Sequence, residues 1–403
     1  MKHRILAALV IVNLPCSISL LVAQETTTLP TSMYGIGELS TSDGGQYSGI
    51  GNTGVALNIN NNVNILNPAA ITQMDSVYFR YNVGSIMSYT SYSLYGARSN
   101  SFTGTLSRLT AAVRLTPRWF AILGLAPFSS VGYSIQESSQ VEGQSSSSIT
   151  STYEGSGGLY RLYLTNAFKL TRNLSLGVSV GYLHGTVYQS ESQESASVNR
   201  ESMKSSLYAE GGLHYILPLR KGRSFTFGAT YMPRLLLSQD NTLTYSNTSG
   251  SDDYEDDFTD EVKYVPQLAR VGMGYQTPHW TFLADYSWQD WSITKSSLST
   301  VSYKDQQKIG IGTIYKVKDR NPQSVEFMAG AELSNSYVVI KKQTMKNLGL
   351  SIGVTAPFKG TMLSFGFTWK NQLNNSSILM KENRFSFNFG INFREKIFKG
   401  NIE

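Results

Sequence analysis

Cysteine is nearly missing from this chain: Cys16 is its only one, so neither a disulfide framework nor a thiolate metal site is available to the body of the protein. Charge is also scarce. Asp, Glu, Lys and Arg make up 15 % of the residues, against about a quarter in ordinary soluble domains. After the first stretch no apolar run approaches the roughly 18 residues of a spanning helix. Histidine numbers only four, and no nucleophile elbow or His-Glu-x-x-His helix accompanies it, so the sequence predicts no enzyme. The glycine-rich GIGNTG lacks the lysine of a phosphate loop, which argues against nucleotide-driven work. The acidic stretch SDDYEDDFTDE lacks the glycine-turn spacing of a calcium loop. No cofactor and no metal are expected. The net charge of +6 is spread along the chain rather than clustered beside stacking aromatics, so nucleic acid is not an expected partner.

What is present begins with export chemistry. Lys2, His3 and Arg4 precede an apolar run from Ile5 to Leu14, and Ala23 offers a small residue for cleavage before Gln24; residues 1–23 read as a signal peptide. A lipid anchor on Cys16 is disfavoured by Pro15 before it and by the apolar SISLLVA that follows. The mature chain then carries no cysteine.

Beyond the signal, alternation with a period of two dominates, the signature of strands with two unlike faces. LSLGVSVGY puts Leu174, Leu176, Val178, Val180 and Tyr182 on one face and Ser175, Gly177, Ser179 and Gly181 on the other. SFTFGATY, LGLSIGV, LSFGFTW and FSFNFGINF repeat the pattern. A soluble sandwich also alternates, but its polar face carries Lys, Glu and Thr, whereas Gly and Ser suit a crowded barrel interior. About fourteen strands fit between residues 76 and 394, an even number, as closure of an up-and-down barrel demands. Connections such as LTPRW, LTRN and APFKGT are short, while the alternate set includes polar stretches at 134–156, 189–203 and 238–261; short periplasmic turns and long external loops have this rhythm. Trp119 and Trp280 follow short turns and Trp291 and Trp369 lie near the opposite ends, as an aromatic girdle requires. The fold expected is therefore all-β: a signal peptide at 1–23, a plug or hatch at 24–75, a transmembrane antiparallel barrel at 76–394 and a tail at 395–403, placed in the outer membrane of a Gram-negative bacterium.

Two stretches add a family resemblance. SGIGNTGVAL followed by NVNILNPAAI, ending in Asn67, Pro68 and Ala69, resembles the N-terminal hatch of the long-chain fatty-acid transporter (FadL/TodX) family, which ends in an Asn-Pro-Ala element before the first strand. GLAPFSSVGY, with Gly124, Ala126, Pro127 and Phe128, resembles that family's inward kink on the third strand. The resemblance implies a fourteen-stranded barrel plugged by its hatch, gating at Asn67–Ala69, and passive uptake of hydrophobic compounds such as long-chain fatty acids that leave sideways at the kink. Read from residues alone, Pro127 is a bulge, because proline donates nothing to a ladder, and Asn67–Ala69 is a capped turn.

Charges on the lipid face near the midplane would cost roughly 2–4 kcal/mol, so Arg80, Arg114, Arg161, Lys169, Arg270, Asp285 and Lys370, with Glu210, Glu326, Glu332 and Arg384, are assigned to the lumen. There they hold the plug through ion pairs or grip the head of a ligand. Expected partners are outer-membrane lipid and a hydrophobic small molecule, the barrel being a monomer. The alternative from another class is a plugged barrel serving as an interaction component of a secretion or surface-assembly complex.

Overall fold

The computed structural model describes residues 29–396 apart from 41–44, 59–62, 75–77, 95–96, 141–147, 195, 248–253, 259–261, 297, 318–323 and 375–379. The expected signal peptide and almost all of the expected tail lie outside the described residues, as do Asp252, Asp253, Asp260 and Glu261 of the acidic stretch.

The alternating segments form one closed antiparallel wall of fourteen strands. In chain order these are β1 (Tyr78–Leu94), β2 (Ala97–Arg114), β3 (Trp119–Gln140), β4 (Ser148–Lys169), β5 (Leu174–Gln193), β6 (Ala196–Pro218) and β7 (Ser224–Met232). They continue as β8 (Leu268–Gln276), β9 (Trp280–Gln289), β10 (Gln306–Lys316), β11 (Glu326–Ile340), β12 (Gln343–Phe358), β13 (Thr361–Gln372) and β14 (Lys381–Lys396). Each pairs with its chain neighbour, and β14 pairs with β1 from Tyr78–Lys396 to Ser93–Lys381, which closes the barrel. Closure pairs the first strand with the last, so that neither is left as an edge in hydrocarbon, the condition a membrane imposes on sheets.

The period of two sorts the side chains as the sequence suggested. Leu123, Leu162, Val178, Met273, Ile311, Ile352 and Phe387 point outward, Met273 and Ile352 being 60 and 62 % exposed. Ser175, Ser179, Thr226, Ser351, Thr355 and Ser364 point inward and are buried. Trp119 and Trp280 stand exposed at the turn end of the wall, Trp119 stacked on Phe168 with its indole N–H donating to Asn166 Oδ1 at 3.0 Å. Trp291 departs from the expected girdle. It is fully buried and stacked on Tyr337 at 4.0 Å, because the chain after β9 folds inward over the loop end of the lumen.

The expected polar loops also differ from what forms. β3 and β4 pair up to Gln140–Ser148, β5 and β6 up to Gln193–Ala196, and Ser238–Asn247 adds a strand against Ala196–Ser205 of β6. About ten tilted residues suffice to cross a bilayer, so these twenty-residue strands rise past it as hairpins. Their Ser and Thr side chains still pair across strands, as Ser138 does with Thr150 at 3.0 Å.

Inside sits the plug, with 3₁₀ turns at Pro30–Met33, Gly45–Ile50 and Pro68–Gln73 and a two-residue strand at Glu38–Leu39. It packs against a belt of wall glycines. A Cβ added at Gly177 or Gly212 would collide with Asn67–Ala69, at Gly228 with Val55, and at Gly330 with Ile50 and Gly51. Glycine is required at Gly177, Gly228 and Gly330 because backbone meets backbone there, and at Gly212 because the Asn67 amide and the Pro68 ring press on it. The apolar core joins plug residues Ile36, Val63, Ile71 and Met74 to Phe120, Ile122 and Leu159 of the wall and to Trp291, Tyr337 and Val265 at the loop end.

Candidate functional site

The geometry of the lumen begins with how the plug is fastened. Asn67 caps the Pro68–Gln73 turn: its Oδ1 accepts from the Ala69 N–H at 2.9 Å, and its amide donates to the carbonyls of Val55 at 2.8 Å and of wall residue Leu213 at 2.9 Å. Pro68 suits the first helical position, where its missing N–H costs nothing. Asp285 of β9 accepts from the backbone N–H groups of Gly54 and Val55 at 2.6 and 2.9 Å. Asn52 donates to Glu332 of β11 at 2.7 Å, and Lys308 of β10 pairs with the same carboxylate at 3.2 Å. On the other side Glu38 receives both Nη groups of Arg384 from β14 at 3.0 and 3.1 Å. Three separate carboxylates therefore link plug and wall, and removing one partner of such a pair leaves an uncompensated charge in a dry setting.

The wall itself parts between β2 and β3. Their ladder runs only from Arg114–Phe120 to Leu109–Leu125. Beyond it β2 continues to Ala97, paired on the β1 side alone among the described residues, and β3 continues to Gln140 on β4. At the parting Gly124 still pairs with Thr110 and Ala126 with Arg161, and the register against β4 shifts between Pro127 and Ser129, leaving Phe128 as the extra residue of a bulge. The edge of β3 that β2 leaves is taken by the plug: Glu38 and Leu39 pair with Ser130 and Ser129, and the Ser40 N–H donates to the Phe128 carbonyl at 3.0 Å. β2 carries a bulge of its own, since Ser107 falls between the pairs Arg108–Gly84 and Leu106–Ser85. Its inward set thereby changes phase, from Arg108 and Thr110 to Ser107 and Thr103, all buried.

Two chambers flank the plug strand. The larger, about 200 Å³, is lined by Leu39, Ile65, Pro127, Phe128, Leu268 and Tyr337 together with Arg161, Arg270, Asp285, Lys308, Glu332 and Lys370. The smaller, about 120 Å³, lies behind the parted seam among Ser88, Thr103, Thr105, Ser107, Pro127, Lys370, Arg384 and Asn388. Glu38, Leu39, Ser40, Asn52, Ser107, Pro127, Glu332 and Lys370 line both. At the edge of the larger chamber Arg161 lies between the rings of Tyr163 and Tyr208, 4.7 and 4.9 Å from their centres, and donates to the Tyr208 hydroxyl at 2.7 Å. Tyr208 in turn donates to Glu210, which also pairs with Arg270 at 2.8 Å.

Of the charges that sequence assigned to the lumen, Arg161, Arg270, Asp285 and Lys370 line the larger chamber. Arg80, on β1 opposite Ala112 of β2, is 2 % exposed. Arg114 bonds the carbonyls of Thr116 and Pro117 at 3.0 Å each and thus belongs to the turn-end rim, on the side of the barrel where Lys169 meets Arg118. Glu326 pairs with Lys316 at 3.4 Å. Sequence reasoning passed over Glu38, Lys308 and Arg108. Lys308 was recoverable from phase, since Ile309 and Ile311 face lipid; Arg108 was hidden by the bulge, and Glu38 by the irregular plug. His214 is buried against the plug, 3.3 Å from the Ala56 carbonyl, and serves packing.

A family model described as BamG matches residues 1–401. Among solved structures the chain is similar to the toluene transporter TodX of Pseudomonas putida, at 15 % identity and a TM-score of 0.62 over 90 % of this chain and 100 % of that one. The toluene transporter TbuX of Ralstonia pickettii aligns at 16 % identity and 0.57, covering 87 and 98 %, and a Pseudomonas aeruginosa FadL homologue at 12 % and 0.55, covering 88 and 99 %. These likenesses establish a shared fold with barrels of the FadL/TodX kind. No curated protein matches the chain in sequence.

Proposed function

Because the chain belongs to the BamG family and folds as a plugged barrel, we propose that it is a passive channel of the Gram-negative outer membrane, admitting hydrophobic compounds at its loop end and releasing them sideways between β2 and β3. The observation that carries this reading is the parted seam, where a lumen chamber reaches the wall beside Pro127 and a plug strand stands in for the missing ladder. A cavity of about 150 Å³ holds a benzene ring. The larger chamber, about 200 Å³, therefore suits a single ring or a short chain, and a long-chain fatty acid needs the hatch to shift away from β3 first. In this reading Arg161, Arg270 and Lys370, which line the larger chamber, hold a ligand's polar end by charge-assisted hydrogen bonds, and Asn67–Ala69 hold the hatch at its seat. No energy source is required beyond the gradient. The test is uptake: cells lacking the protein take up labelled toluene and oleate more slowly than cells producing it, and equal rates would refute the channel.

A second reading is favoured by the fastening of the plug. The glycine belt and three carboxylate links suit a plug that stays in place, and a permanently closed barrel serves as a structural component of a secretion or surface-assembly complex. A deletion strain with normal oleate uptake but defective display of surface proteins would decide for this role.

A further inference from the structure

Charge is unevenly distributed around the turn end of the barrel. The three turns β2–β3, β4–β5 and β6–β7 carry Arg118, Arg172, Arg220, Lys221 and Arg223, all exposed, with Arg114 and Lys169 at the strand ends beside them. No Asp or Glu lies within residues 109–127, 161–190 or 211–239. None of these seven cations enters an ion pair among the described residues. By contrast, the turn β8–β9 has His279 and no Lys or Arg, and β12–β13 has Lys359 alone. The charged turns are also tied into one platform, the Lys169 N–H donating to the Arg118 carbonyl at 2.9 Å and the Ile216 N–H to the Asn173 carbonyl at 2.8 Å. Like charges held side by side repel, and an anion laid across them relieves the repulsion.

Position narrows the anion. RLTPRW at 114–119 and KLTRNL at 169–174 repeat one design: a cation, a leucine, a threonine and an arginine. The threonine hydroxyl shapes each turn, Thr116 accepting from the Trp119 N–H at 3.1 Å and Thr171 from the Leu174 N–H at 3.0 Å. Leu115, Leu170 and Leu219 prolong the lipid-facing stripes of β2, β4 and β6 and are 49, 50 and 40 % exposed. An arginine follows each leucine within three positions, which puts the charge at the level where acyl chains give way to head groups. An acidic protein approaching along the barrel axis would meet the charges but not the leucines, which face sideways into the membrane. A molecule with an anionic head and a hydrocarbon tail meets both.

We propose that the turns β2–β3, β4–β5 and β6–β7 form a binding surface for anionic phospholipids of the periplasmic leaflet, the side on which short turns of outer-membrane barrels lie. Phosphates meet Arg118, Arg172, Arg220 and Arg223, and acyl chains lie along Leu115, Leu170 and Leu219. The planar fork of arginine matches phosphate oxygens two at a time, and a zwitterionic head is disfavoured because it brings a cation of its own to the platform. The surface does not depend on transport, and a barrel that moves nothing would still bind lipid there.

The test uses the full mature protein in phosphatidylcholine vesicles doped with phosphatidylglycerol or phosphatidylcholine carrying a photoreactive group high on one acyl chain. Phosphatidylglycerol labels Leu115, Leu170 and Leu219 about fivefold more than phosphatidylcholine does, the scale of one basic residue engaged at an anionic surface. At Phe358, beside Lys359 alone, the two lipids label more nearly alike. Arg118→Gln with Arg172→Gln abolishes the preference at Leu115 and Leu170 while sparing Leu219, and Arg118→Lys with Arg172→Lys retains most of it, since a point charge still meets phosphate. Barrel integrity in each variant is read from its folded, heat-shifted band on gels, and Arg220→Gln with Arg223→Gln, read at Leu219, serves if the first pair fails to fold. A preference at Phe358 as large as at the leucines, or one untouched by the Gln pairs, would overturn the proposal. So would equal labelling by the two lipids, which would leave the platform to an acidic periplasmic protein, or loss of the preference to free glycerol 3-phosphate at constant ionic strength, which would mark a site for soluble phosphate.

Discussion

Asn67 shows how much a single amide does here, since it caps a turn, ties that turn to Val55 and bonds the wall at Leu213. Asn67→Ala removes the cap and leaves two carbonyls unanswered, and is expected to destabilise the seated plug by about 2 kcal/mol while leaving the barrel folded. Faster proteolysis within residues 29–74 at unchanged barrel heat-stability is the measurement. At the opposite side, Arg384→Met strands Glu38 of the plug and Glu382 of the wall and should loosen the plug by about 3 kcal/mol. Combining it with Glu38→Gln removes the charge stranded on the plug and restores part of the loss, Glu382 on the wall staying unpaired, a result readable in the same proteolysis assay as a double-mutant cycle. Gly212→Val tests the belt: a Cβ there meets the Asn67 amide and Pro68, so the plug is pushed from its seat while β6, already a good strand, persists.

At the scale of elements, β3 is decisive. Up to Leu125 it is an ordinary wall strand, and past the bulge at Phe128 its free edge is satisfied by Glu38–Leu39 of the plug. Two plug residues do the ladder work that β2 has given up, so the plug strand is both a stopper and a piece of wall. Leu39 and Ser129 are directly opposite in register. Residues 29–396 carry no cysteine, so Leu39→Cys with Ser129→Cys forms a bridge unique within the barrel and plug. The oxidised protein is expected to lose sideways release, and reductant to restore it; unchanged uptake under oxidation would place the route elsewhere. The bulge of β2 has the complementary effect of turning Ser107 and Thr103 inward above Arg108, which supplies the smaller chamber with hydroxyls.

For the whole molecule, a barrel whose seam is covered by the plug strand and whose lumen holds the seated plug is expected to be a closed pore. Deletion of residues 24–70 from the reconstituted barrel should raise single-channel conductance from near zero to that of an open lumen, and unchanged conductance would show that the plug does not seal it. The outward Leu, Ile, Val and Phe belt likewise requires detergent or lipid for a monodisperse preparation.

How much of this was legible follows from the length scale of each signal. Strand alternation is local, so LSLGVSVGY and FSFNFGINF announced wall strands, their inward and outward faces and the fourteen-fold count without any knowledge of their neighbours. The low charge and the Gly/Ser face announced a crowded interior for the same reason. Only the tertiary structure decided that Trp291 roofs the lumen instead of marking an interface, that Arg114 serves a rim and Arg161 a chamber, and that Glu38 reaches Arg384 across 346 positions of chain. Those outcomes depend on where the wall closes, on bulges that shift side-chain phase by one residue, and on an irregular plug whose contacts are set by shape and by distant partners and leave no period in the sequence.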